Sequence, residues 1–223
     1  MINYAELIRD ERAFTVKLLK GLKSNQWQID TLCEGWTIED LVAHLIVRER
    51  GGVSARSGIV IPFLENRHSG AIQAQKKVGH KELLTKIEHL PGWGPKLRFN
   101  LIEFFVHNED ILRGDLRRNR QVTDNCRLAL ASFVPSLTKL AFRKIKEPID
   151  IAVVDEQTRD EIVIRRGRRS SQADQDEKIP QLRLIAEPGE FILLCMGRGR
   201  HAKIDVAGDA RAKEIYRLAN IGL

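Results

Sequence analysis

The sequence predicts an α+β protein in two parts, a helical bundle over residues 1–146 followed by a small α+β domain over 148–223. Three observations carry that reading. Apolar residues recur at helical spacing through the first two thirds of the chain. After Pro148 the pattern turns to short runs rich in β-branched residues. A chain of 223 residues, 43% of them hydrophobic, can bury one large core or two modest ones.

Each element follows from a local signal. Tyr4, Leu7, Ile8, Phe14, Leu18, Leu19 and Leu22 mark an amphipathic helix over 3–22. Thr37 opens a second helix: Thr37 and Asp40 form a T-x-x-D capping pattern, and Trp36 and Leu41 stand at the positions of a hydrophobic staple. That helix should run to about Arg50, where Gly51-Gly52 stops it. Residues 51–95 are less regular, with short helical pieces expected at 66–77 and 80–88 and a breaker cluster at Pro91-Gly92-Trp93-Gly94-Pro95. Strong helices follow at 97–113 and 123–145. Strands are expected at 149–154, 161–164, 182–186 and 203–206, an exposed loop at 165–180, and helices at 189–197 and 209–219.

Composition narrows the function classes. No apolar run is long enough to cross a bilayer, and the first ten residues lack the basic start and apolar stretch of a signal peptide, so a cytoplasmic protein with no membrane partner is expected. Cys33, Cys126 and Cys195 are odd in number and widely spaced, which argues for reduced thiols packed as small hydrophobes. The net charge of +7 is concentrated in Arg113–Arg120 and Arg165–Arg169. Neither run is interleaved with stacking aromatics, so both read as solvated loops and helix ends, and no specific nucleic-acid partner is expected.

The chemistry concentrates in the helix over 97–113. Glu103 and His107 are four residues apart and project side by side, a spacing at which a carboxylate and an imidazole can chelate one metal ion. Asp110 continues their stripe. Leu97, Leu101, Phe104, Phe105, Ile111 and Leu112 share an apolar arc beside it, and Arg98, Glu109 and Arg113 share an arc expected to face solvent. A third ligand must come from elsewhere. His68, His80, His89 and His201 fall in loops or at element ends, whereas His44 sits inside the capped helix at the edge of an apolar face. The same residues also suit an ordinary salt bridge and a satisfied core histidine, and spacing alone leaves both readings open.

The motifs carry a resemblance. Trp36-Thr-Ile-Glu-Asp-Leu-Val-Ala-His-Leu45 is similar to the W-T-x-x-D-L-x-A-H-L signature of the mycothiol-dependent maleylpyruvate isomerase N-terminal domain, a DinB-like metal-binding four-helix bundle, and Glu103-Phe-Phe-Val-His107 resembles its E-x-x-x-H motif. Pro188–Arg198 and Ile204–Asp209 resemble the family's small, sterol-carrier-like C-terminal domain. Leu32-Cys-Glu-Gly-Trp-Thr37 and Glu103–Asp110 resemble an actinobacterial subgroup of unknown function.

The resemblance implies that His44, Glu103 and His107 hold a divalent metal, zinc being the expected ion and nickel another that suits the donors. It implies an enzyme, a transferase or isomerase, that activates a small thiol, mycothiol, against a small electrophile. It also implies an arginine from the C-terminal domain, with Arg198 the candidate and Arg200 the runner-up. Around the ligands, Arg48 is placed to reach Glu103 or Asp110, and Asp110 to orient His107. Cys33 is not expected to be a catalytic thiol. The alternative is a non-catalytic metal-binding or stress-response protein of the same fold.

Overall fold

The computed structural model describes residues 2–49, 70–90, 97–167, 178–219 and 221–222, and for Leu97 the backbone only. The expected stop at Gly51-Gly52, the start of the 66–77 piece, His68, the Pro91–Pro95 cluster and most of the 165–180 loop lie outside the described residues. The chain forms two compact units, Met1–Val122 and Thr123–Leu223.

The first unit is helical, its only strand-like feature among the described residues being an isolated bridge between Asp30 and Thr37. Helix α1 spans Tyr4–Lys20, capped by Asn3, whose side chain accepts the Glu6 amide at 3.3 Å. A 3₁₀ turn over Ser24–Gln28 leads to α2, Ile38–Glu49. The predicted capping box forms: the Thr37 hydroxyl accepts the Asp40 amide at 3.2 Å, and Asp40 Oδ2 accepts the Thr37 amide at 3.0 Å. Every residue of α2 from Ile38 to Ile46 is buried, so His44 stands on a helix enclosed by its neighbours. Helices α3 (Gly70–Lys76), α4 (His80–Glu88) and α5 (Leu97–Arg113) follow among the described residues.

The segment before α2 is fastened to the end of α5. The Leu32 amide donates to the Asp110 carbonyl at 3.1 Å, and the Asp115 amide to the Asp30 carbonyl at 3.2 Å. Gly114 permits this approach, since a Cβ there would lie 2.6 Å from the Asp30 carbonyl oxygen. The segment that leads to His44 and the helix that carries Glu103 and His107 are thereby held together.

The second unit begins earlier than expected. The helix anticipated over 123–145 is two helices, α6 (Asp124–Ala131) and α7 (Val134–Ala141), followed by a 3₁₀ turn over Phe142–Lys144. The break falls just before Pro135, which has no amide to donate and suits a helix's first turn. Both helices pack on α8 (Pro188–Leu193), and α7 also packs on strand β2 (Glu161–Arg165), which moves the division from 146–148 to Val122/Thr123. Arg127 on α6 fixes the arrangement, pairing with Asp155 at the end of β1 (Asp150–Asp155) and with Glu187 at 2.7 Å.

With β3 (Gln181–Ala186) and β4 (Asp205–Gly208), the sheet order is β2-β1-β3-β4. The β1–β3 pair is parallel and the outer pairs antiparallel. Central β1 is buried from Ile151 to Val154, matching its continuous apolar run, while edge strand β2 leaves Ile162 and Val163 exposed. Strand β4 starts two residues later than expected, because the Lys203 amide is taken by the Glu190 carboxylate at 2.8 Å and pairing begins at Asp205. The helix expected over 189–197 ends at Leu193 and widens into a π-helical turn over Leu194–Arg198, broken at Gly197, whose φ of +81° favours glycine. Helix α9 spans Ala210–Leu218.

Candidate metal centre

Two helices supply the candidate ligands. Glu103 and His107 lie one turn apart on α5, and α2 brings His44 against them. Glu103 Oε1 lies 3.3 Å from His44 Nε2 and 3.2 Å from His107 Nε2. Ligand atoms of the three residues all lie within 4.8 Å of one another. Both histidines are buried, each 8% exposed, and their rings meet edge to face with centroids 5.3 Å apart. Trp36 also meets the His44 ring in a T-shaped arrangement, with centroids 5.2 Å apart.

The surrounding groups set the charge. Arg48, one turn after His44, places Nε 3.3 Å from Glu103 Oε1, while its Nη1 donates to Glu49 at 2.7 Å and to Asn100 at 3.2 Å. Asp110 Oδ2 lies 2.9 Å from His107 Nδ1. Burial works against the charged form of Glu103, but bonds to His107 and His44 and the Arg48 charge outweigh it and hold the carboxyl well below its usual range. Burial likewise opposes the His107 imidazolium, yet bonds to Asp110, Cys33 and Glu103 outweigh it and push its pKa well above the ordinary value.

These facts test whether a metal suits the site. His107 has a carboxylate oxygen at each ring nitrogen, an arrangement that favours positive charge at this place. A divalent cation between Nε2 and Glu103 would satisfy the same negative field while Nδ1–H still donates to Asp110. Two imidazole nitrogens and one carboxylate are a donor set that zinc accepts with positions to spare. The residues fit the group.

The structure brings together five of the residues singled out from sequence: His44, Glu103 and His107, with Arg48 on Glu103 and Asp110 on His107. Arg198 lies in the second unit at the end of the π-helical turn, buried, with Nη1 donating to the Met196 carbonyl at 2.5 Å. Arg200 is exposed. His80 opens α4 and stacks on Trp27 at 4.4 Å, with Glu39 on its Nε2 at 3.1 Å.

Two expectations need correction. Glu109, placed on the solvent-facing arc, is only 1% exposed. The chain after α5 returns over that face and delivers Arg120, whose Nε donates to Glu109 at 2.8 Å and whose terminal nitrogens donate to Glu11 at 3.0 and 2.7 Å. The end of the first basic run is thus a buried counter-ion packed over the Phe14 ring at 4.2 Å, not a solvated loop. The three cysteines are free and buried as expected, and burial pushes the Cys195 thiol up to about 12. Cys33, however, does more than pack: its thiol reaches Asp110 at 3.1 Å.

With the geometry in place, comparison with known proteins becomes informative. Residues 8–94 match the family model of the mycothiol maleylpyruvate isomerase N-terminal domain. His44 lies inside the match, and Glu103 and His107 lie beyond it. The whole fold is similar to a crystal structure of the mycothiol-dependent maleylpyruvate isomerase, with a TM-score of 0.59 at 15% identity, covering 92% of this chain and 91% of that one. A crystal structure of a histidine-to-alanine mutant of the isomerase matches with a TM-score of 0.54 at 13% identity, over the same shares of the two chains. No curated protein matches significantly. Like the isomerase, the chain joins a helical N-terminal part to a small C-terminal α+β part. No described helix is long and apolar enough to cross a membrane.

Proposed function

We propose that this protein is a metal-dependent enzyme that activates a small thiol, mycothiol being the one its family suggests, for transfer to or isomerisation of a small electrophile. The observation that carries the reading is the convergence of His44 Nε2 and His107 Nε2 on one oxygen of Glu103. These three side chains would hold zinc or a similar divalent ion. When bound, such an ion stabilises the thiolate of an incoming thiol, which is then nucleophilic near neutral pH.

The chain's own groups divide the remaining work. Asp110 accepts from His107 Nδ1 and so fixes which ring nitrogen faces the ligand cluster. Arg48 balances the Glu103 charge while Glu49 and Asn100 hold its guanidinium. Trp36 closes one side of His44 with an apolar edge. Arg198 is the proposed recognition group for a substrate carboxylate, a guanidinium being suited to a two-point clamp, with Arg200 the second choice. A cytoplasmic location belongs to the same reading.

The test is elemental analysis and thiol transfer on the zinc-loaded protein. His44→Ala and His107→Ala should each lose most of the bound metal, and Glu103→Gln should lose less. Wild-type protein should transfer mycothiol to at least one class of unsaturated acid or related electrophile. Full stoichiometric metal in all three variants would overturn the ligand assignment. Bound metal without transfer to any electrophile class would leave a non-catalytic metal-binding protein.

A further inference from the structure

The thiol of Cys33 is buried, 3% exposed, in the segment between the Asp30–Thr37 bridge partners. Its place is fixed from three directions. The Cys33 amide donates to Thr31 Oγ1 at 3.2 Å, its carbonyl accepts the Trp36 amide at 2.9 Å, and the preceding Leu32 amide is tied to the Asp110 carbonyl at 3.1 Å. From there Sγ lies 3.1 Å from Asp110 Oδ2 and 3.9 Å from His107 Nδ1. Asp110 is fully buried, and a buried carboxylate needs donors to remain charged. Its Oδ2 faces two of them, the Cys33 thiol and the His107 ring.

We propose that Cys33 is a positioning residue for the metal centre: its S–H donates to Asp110 Oδ2, which in turn holds His107 as the Nδ1–H tautomer with Nε2 turned toward Glu103 and His44. The inference rests on the metal-binding reading above and deepens it. The physical reason is that a second donor on the same Asp110 oxygen narrows the side-chain torsions open to the carboxylate, and with them the hydrogen bond that orients the ring. The thiol that supplies it is anchored in a different element. Cys33 thereby links the segment that leads to His44 with the helix that carries His107, through side chains as well as backbone.

The competing role for Cys33 arises from the same arrangement of side chains. Cys33, His107 and Asp110 are themselves a buried group whose ligand atoms all lie within 4.8 Å of one another. As a ligand, Cys33 would be a thiolate bound to the metal; as a positioning residue, it keeps its proton and stays off the metal. Cobalt separates the two, because a bound thiolate gives a sulfur-to-cobalt charge-transfer band and a neighbouring thiol does not.

The experiment uses the full chain with Cys33→Ala, Cys33→Ser and Cys33→Val, and His44→Ala as a control. Zinc affinity is measured by chelator competition, the visible spectrum on cobalt-loaded protein, and the His107 tautomer from its ring-nitrogen NMR signals. Loss of an outer partner of this kind costs about ten-fold to a hundred-fold in metal affinity. Cys33→Ala should fall at the lower end of that range and broaden or shift the His107 Nδ1–H signal. Cys33→Ser, which keeps a donor, should recover most of both. Cys33→Val, which fills the space without a donor, should behave as Cys33→Ala does, and it replaces Cys33→Ala if that variant is poorly folded. Wild-type affinity and tautomer in both donor-free variants would overturn the proposal, as would a charge-transfer band abolished by Cys33→Ser. If His44→Ala binds zinc as tightly as wild type, the metal assignment fails on its own. The His107 signals of the metal-free Cys33 variants then decide the positioning role, unchanged signals overturning it and a shift restored by serine supporting it.

Discussion

Helix α5 carries two carboxylates that meet opposite fates, Glu109 buried and Glu103 half-buried. Glu109 is answered by guanidinium groups, Arg113 at 2.6 Å and Arg120 at 2.8 Å, and Arg120 continues to Glu11. Asn108 and Thr15 complete that network, Asn108 donating to Glu11 at 2.8 Å and Thr15 donating to Asn108 at 2.7 Å. Glu103, six residues earlier, is answered by one guanidinium and two imidazoles. The difference lies in what the partner nitrogens can become. An arginine nitrogen is always a donor, so the Glu109 cluster is closed and can only hold the fold together. An imidazole nitrogen can shed its proton and offer a lone pair, which is the property the proposed metal site requires of the Glu103 cluster.

The comparison breaks most sharply at Arg120. Removing one member of a buried ion pair leaves an uncompensated charge, typically worth about 3–5 kcal/mol. Arg120→Ala should lower the free energy of urea unfolding of the first unit by an amount in that range, while the fraction that stays folded keeps its full metal content. Metal loss in the folded fraction without destabilisation would show that the two clusters are not separate in function.

Titration sharpens the contrast. The His107 pKa is raised above its ordinary 6.5, so its contribution to the metal-free fold is fully present below that value and is lost as pH rises through the raised pKa. Glu103 is shifted the other way, below 4.5, so its contribution is present above that value and is lost as pH falls through the depressed pKa. Metal-free protein should therefore weaken on the alkaline side. Zinc-loaded protein should instead be favoured there and lose its metal on acidification, beginning at a higher pH than for an ordinary histidine site. Denaturant titrations of both forms against pH measure this. His107→Asn should flatten the alkaline limb of the metal-free curve, and an unchanged limb would remove His107 as its cause.

The smallest effect concerns the cap that sets the start of the His44 helix. Thr37→Ala removes the hydroxyl that accepts the Asp40 amide and should cost about 1 kcal/mol in urea unfolding. Because α2 is buried from Ile38 to Ile46, zinc affinity should fall only slightly, and a loss as large as that of His44→Ala would mean that the cap places the ligand directly.

Legibility followed distance along the chain. The Thr37–Asp40 box, the Glu103–His107 pair and the Asp110 bond to His107 join residues three or four apart, and helical geometry alone places them. The break before Pro135 was also written locally, in a residue that suits only a helix's first turn, although the apolar periodicity on both sides masks it. The burial of Glu109 was not local. Its helical wheel gives a solvent-facing direction, and only the return of the chain with Arg120 covers that face.

By itself the sequence determined the helical first part, the strand-rich second part, and that Glu103, His107 and Asp110 share one stripe of α5, because periodicity, caps and i, i+4 spacing act within a single element. Tertiary structure decided the rest. It assigned α6 and α7 to the second unit, because their apolar faces are covered by α8 and β2. It began β4 at Asp205, because a strand's ends depend on its partner. It set His44 against Glu103 and Cys33 against Asp110, contacts that span 59 and 77 residues. Such pairs are fixed by which faces must be buried together, and no single segment contains that information.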